Sequence, residues 1–122
     1  MQSEKRRFPR IKIKCKMIIA CEGKVLFGQP EDYFFHVFSE DLSEVGVMVK
    51  LEQQLTDSAI VKVSLFITSN LLFKCKGSVV WTKQVNPEDT KPDIFETGIK
   101  FLELDYSEQE MIANLVKDFL KK

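Results

Sequence analysis

Apolar side chains at every second position run through most of the first hundred residues, and that spacing restricts the chain to sheet. From 11 to 19 the odd positions are Ile11, Ile13, Cys15, Met17 and Ile19, with Lys12, Lys14 and Lys16 between them. This is the period of a strand with one face buried and one in water. The pattern returns in Val47, Val49 and Leu51, and in Val61, Val63, Leu65 and Ile67. It returns again in Leu71, Phe73, Cys75, Val79 and Trp81, and in Phe95, Thr97, Ile99 and Phe101. "YFFHVF" at 33–38 is aromatic and strand-prone but apolar on both faces, so its register stays open. "KVLFG" at 24–28, between "EGK" and "QPED", reads as a further short strand, and "SN" at 69–70 reads as a hairpin turn. "QQLTDSA" at 53–59 and "QVNPEDTKPD" at 84–93 read as solvated loops.

The period changes once. Ser107 and Glu110 have the spacing of a capping box, and Met111, Ile112, Leu115, Val116, Phe119 and Leu120 recur on one helical stripe. Short strands joined by turns and closed by one amphipathic helix predict a mainly β protein, a six-stranded antiparallel barrel with a C-terminal α-helix. No alternation of strand and helix calls for a parallel sheet. At 122 residues and 44% hydrophobic, one core and one domain are expected. It divides into a flexible basic arm (1–10), the barrel (11–104) and the helix (107–121).

Charge narrows the classes of partner. Eighteen basic residues balance eighteen acidic ones, so no whole-protein field draws in long nucleic acid or an anionic membrane. The expected partners therefore exclude DNA and RNA, and no apolar run approaches the ~20 residues of a membrane span. Cys15, Cys21 and Cys75 are dispersed and His36 is the single histidine, which argues for reduced thiols, a cytoplasmic location, and neither metal nor cofactor.

The arginines stand out against this balance. In "KRRFPR", residues 5–10, Pro9 pushes Phe8 toward an extended backbone, which sets Arg6 and Arg10 about 13 Å apart and on one side. A guanidinium donates paired hydrogen bonds to phosphate or to the O6/N7 edge of guanine, and it stacks on a base. In "DLSEVG", residues 41–46, an extended backbone points Asp41 and Ser43 the same way, and Gly46 permits a positive φ or a close backbone approach. A carboxylate there suits the N1–H and N2–H₂ edge of guanine.

Arg6 and Arg10 as RxxxR, followed some thirty residues later by Asp41, Ser43 and Gly46 as DxSxxG, resemble the two-part signature of PilZ domains, bacterial receptors for the second messenger cyclic di-GMP. "KGSVVW" and "TGIKFLELDYSEQEMI" are similar to that family's late strands and its final helix, so the resemblance covers nearly the whole chain. It implies a nucleotide held on the outside of the barrel under the arginine arm. Arg6 and Arg10 would meet phosphates and guanine, Asp41 and Ser43 the base edges, and Gly46 would make room. Lys5 and Arg7 in the arm, and Trp81 beside the site, would add contacts. It further implies a non-enzymatic receptor that changes conformation and signals to a protein partner.

Blander readings stand beside these. The arm has the composition of a loose basic terminus, Asp41 and Ser43 suit a local turn, and Trp81 has the parity of a core residue. The same fold also serves as a ligand-independent interaction module or a single-stranded nucleic acid binder. Hydrolysis is disfavoured because His36 has the opposite parity to Asp41 and Ser43.

Overall fold

The structure is a computed structural model describing residues 9–21, 33–67, 70–86 and 89–121. Six strands, β1 (Lys16–Cys21), β2 (Tyr33–Leu42), β3 (Gly46–Leu51), β4 (Ile60–Ile67), β5 (Asn70–Gln84) and β6 (Phe95–Leu102), are followed by α1 (Tyr106–Leu120). All pairings are antiparallel, and they close a barrel in the order β1-β2-β3-β6-β5-β4. The expected architecture is the observed one. The strand expected at 24–28 and the turn residue Ser69 lie outside the described residues.

The alternating positions fill the barrel. Met17, Ile19, Val49, Val61, Val63, Leu65 and Ile99 are buried, and Ile112 and Val116 of α1 join the same core. In β2 the open register resolves with Phe35 and Val37 packed against the core and Phe34 and Phe38 in solvent. The helix uses a narrower stripe than its sequence offers, since Met111 and Leu120 are exposed. Its N-cap is Asp105 rather than Ser107. The Asp105 carboxylate accepts from the Glu108 amide (2.8 Å) and Glu108 Oε1 accepts from the Asp105 amide (3.1 Å), the reciprocal box two residues ahead of its expected place. The Glu108 amide, and next the Ser107 hydroxyl, hold the Asp105 carboxyl below its usual range. The 53–59 loop is not uniformly solvated either, because Leu55 is buried in the core.

The first strand is shorter than its alternation. Between Ile11 and Cys15 side-chain chemistry replaces the ladder: the Ser39 hydroxyl accepts from the Cys15 amide (2.8 Å) and donates to the Ile13 carbonyl, while the Ser39 amide donates to the Cys15 carbonyl (2.9 Å). Ser39 is fully buried. Removing its hydroxyl orphans one buried donor and one acceptor, at roughly 1–3 kcal/mol each. Ser39→Ala is expected to lower unfolding free energy by about 2 kcal/mol or more in urea titration, and an unchanged midpoint would contradict this account.

Among the described residues three ladders slip by one residue: in the β4–β5 pair Leu65 faces Phe73 and Phe66 faces Leu71, so Leu72 is the extra residue and packs against the core while Leu71, expected on the buried side with Phe73, is exposed. The other two decide which way the side chains near the β2–β3 turn and the end of β5 point. In the β2–β3 pair Ser39 faces Val49 but Asp41 already faces Met48, leaving Glu40 unpaired in the ladder. In the β5–β6 pair Val79 faces Ile99 and Trp81 faces Gly98, leaving Val80 as the extra residue. Each insertion reverses inside and outside for the remaining residues of its strand. The first is flanked by the Ser39 bonds and by a Lys14–Glu40 ion pair (3.0 Å). At the second, the Val79 amide donates to the Ala59 carbonyl (2.9 Å) and the Ser58 amide donates to the Val79 carbonyl (2.8 Å).

The thiols are free, and burial pushes those of Cys21 and Cys75 up to about 11, with Glu108 adding to the rise at Cys75. They stay protonated at neutral pH and act as small apolar side chains. No helix among the described residues is long and apolar enough to cross a membrane.

Candidate functional site

One outer-face row crosses four strands. The ladder sets Asp41 of β2 opposite Met48 of β3, Met48 opposite Gly98 of β6, and Gly98 opposite Trp81 of β5. At about 4.8 Å per strand, the row spans about 14 Å. Both of its ends depend on the bulges. Without the extra Glu40, Asp41 would continue the inward parity of Ser39; without the extra Val80, Trp81 would continue that of Val79. Trp81, which the alternation assigns to the buried side with Phe73 and Val79, instead lies on the outside, 36% exposed.

Trp81 is held flat by what β6 lacks. A Cβ on Gly98 would overlap the indole nitrogen and its neighbouring ring carbons, so the absence of a side chain lets the ring lie on the strand. Gly98→Ala is expected to lift the ring off β6. Since Trp81 is the single tryptophan, the emission spectrum reads this directly, and an unaltered spectrum would contradict the stacking.

Arg10 reaches this row through the chain just after it. The Ile11 amide donates to the Leu42 carbonyl and the Leu42 amide to the Ile11 carbonyl, both at 2.9 Å. That two-bond bridge fixes Arg10 beside Asp41, with Nη1 and Oδ2 3.6 Å apart. The arginine side chain is 42% exposed and the aspartate 15%, so this is a loose ion pair that leaves guanidinium donors facing solvent. In stability it is worth about 0–1 kcal/mol.

"DLSEVG" builds the turn between β2 and β3. The Ser43 amide donates to the Gly46 carbonyl (2.9 Å) and its hydroxyl accepts from the Val45 amide (3.2 Å). Ser43 is therefore a buried turn-former, as its blander reading had it, and it also lines the groove beside Arg10. Gly46 meets the second of its two expected needs. A Cβ there would sit 2.5 Å from the Ile99 carbonyl oxygen, so the glycine permits a close approach of β6. A groove of about 120 Å³ runs between Arg10 and Trp81, floored by Gly46 and Gly98 and edged by Val80 and Lys100. At ~30 Å³ per water, its volume is about four waters, enough for one flat ring rather than a whole dinucleotide.

The structure thus brings together Arg10, Asp41, Ser43, Gly46 and Trp81. Lys5, Arg6 and Arg7 lie outside the described residues. Sequence reasoning missed Gly98, Val80 and Lys100. A glycine inside a strand signals close packing and could have been found; Val80 and Lys100 carry no signal before the bulge and the register are known. The His36 parity argument also fails, because the Glu40 bulge turns Asp41 to the face His36 occupies. His36 instead lines a separate depression with Lys50 and Glu52, away from the one Ser43 lines.

The fold is shared with solved proteins of low identity. Bacillus subtilis MotI/DgrA, an inhibitor of motility, superposes with a TM-score of 0.71 at 13% identity, over 100% of this chain and 54% of that one. A MrkH–c-di-GMP complex from K. pneumonia gives 0.70 at 16%, over 99% and 54%. The PilZ domain of Escherichia coli YcgR with c-di-GMP gives 0.66 at 14%, over 96% and 92%. The chain thus spans about half the length of the first two. No curated protein matches the sequence. The PilZ domain profile matches residues 4–118 of the 122, and with RxxxR and DxSxxG both in place, the chain belongs to the PilZ domain family.

Proposed function

We propose that the protein is a receptor for cyclic di-GMP, acting in the bacterial cytoplasm without a chemical step of its own and passing the signal to a protein partner. The observation that carries this reading is the placement of Arg10 beside Asp41 at one end of a ring-sized groove whose other end is Trp81. A guanine lying there would stack on the indole and offer N1–H and N2–H₂ to Asp41 and O6/N7 to Arg10. Ser43 would border that base, and Gly46 and Gly98 would let it approach the strands. The rest of the ligand, too large for the groove, would lie on the surface, where Arg6, with Lys5 and Arg7, would meet the two phosphates. Binding changes the conformation of the protein in this reading, and the change alters the surface that a partner meets.

Calorimetric titration with cyclic di-GMP, with GTP and cyclic di-AMP as controls, tests it. The expected result is saturable heat for cyclic di-GMP alone, accompanied by quenching of Trp81. Silence in both channels would end the proposal.

A further inference from the structure

The outer face of β2, β1, β4 and β5 has a composition of its own. One cross-strand row is Phe38, Lys16, Phe66 and Leu71; a second runs His36, Ile18, Ser64 and Lys74, and a third runs Phe34, Ala20, Lys62 and Lys76. Phe34 is 64% and Phe38 57% exposed, whereas a solvated sheet face normally alternates to polar. β1, β4 and β5 contain no aspartate or glutamate, and β2 has none before Glu40. Among the described residues, the depression lined by Lys62, Lys74 and Lys76 takes in one acid, Glu103, so in a chain with zero formal charge this corner is locally cationic, while the β2 edge sets Phe34 and Phe38 on either side of His36. Lys74 and Lys76, two residues apart on β5, are both exposed, which sets two cations side by side at one corner of the face.

We infer that this face docks a flexible, acidic segment of a protein partner, one carrying apolar side chains between its carboxylates. The carboxylates meet Lys74 and Lys76 of β5, and the apolar groups lie on Phe34, Phe38 and the row that Lys16 interrupts. Shape selects this occupant. The face wraps four of the six strands of a closed barrel, so a flat bilayer touches one strip and cannot reach Phe38 and Lys76 together. A flexible segment bends around the convex surface. Single-stranded nucleic acid would ask for cations along its whole path, and the Phe38 row supplies one. The inference goes beyond the nucleotide site and does not depend on cyclic di-GMP being the ligand.

The probe is a fluorescein-labelled peptide alternating glutamate with leucine, titrated with the full chain at low salt. The expected result is a saturable rise in anisotropy. Binding weakens at least about tenfold in the double variant Lys74→Glu, Lys76→Glu, and it also weakens in Phe38→Ser. Circular dichroism of both variants shows the wild-type fold, since none of the three side chains belongs to the buried core. The inference is overturned if the peptide fails to bind, if the folded variants bind it as the wild type does, or if oligo-dT or phosphatidylglycerol vesicles bind where the peptide does not.

Discussion

Arg10→Ala is expected to weaken cyclic di-GMP binding at least about tenfold while leaving the folded protein as stable as before. Arg10 sits at the mouth of the groove with its guanidinium 3.6 Å from Asp41 and 42% exposed. A hydrogen bond to a charged group is worth roughly 1.5–3 kcal/mol, and about 1.4 kcal/mol is a factor of ten in affinity. The ion pair that is lost contributes about 0–1 kcal/mol to folding, so the thermal midpoint barely moves. Arg10→Lys tests the mechanism further, because it keeps the charge and discards the planar fork, and most of the affinity should stay lost. Calorimetry showing wild-type affinity in Arg10→Ala would remove this residue from the site. Arg6→Ala is expected to behave alike.

Leu42→Ala should have the largest effect on stability, a loss of about 2–5 kcal/mol from a total that for domains of this kind is about 5–15. Leu42 is fully buried, faces Val47 across the β2–β3 pair, and forms the bridge that anchors Ile11. Truncation leaves a cavity in the part of the core that the two hydrogen bonds to Ile11 also depend on. Urea unfolding would measure it, and a loss below about 1 kcal/mol would mean that the barrel collapses around the gap. Because Arg10 precedes the Ile11 bridge directly, the folded fraction of this variant should also hold its arginine less firmly, which separates it from a purely global destabilisation.

These two positions differ in how visible they are in the sequence. Arg10 announces itself through RxxxR and the proline before it. Leu42 does not, since its even number breaks the odd-numbered run that ends at Ser39. In the folded chain that break is the mark of the Glu40 bulge: two inward residues, Ser39 and Leu42, separated by an odd step. Trp81 is the same lesson with the opposite outcome. Its parity agrees with Phe73 and Val79, yet the extra Val80 turns it outward onto Gly98. The helix begins two residues before the place its spacing suggests because Asp105 and Ser107 each stand three residues before a glutamate, and only the hydrogen bonds distinguish the two boxes.

The amino-acid order alone determined that the chain is a β-barrel closed by a helix and where its chemically distinctive residues lie, because burial of alternate positions and the 3.6-residue stripe are local properties. Tertiary structure alone decided which of those residues face the groove between Arg10 and Trp81. A bulge forms where two strands pair, held here by Ser39 against Ile13 and Cys15 and by Val79 against Ser58 and Ala59. Partners so distant in sequence leave no periodic trace, so the outward turn of Asp41 and Trp81 exists only once the barrel has closed.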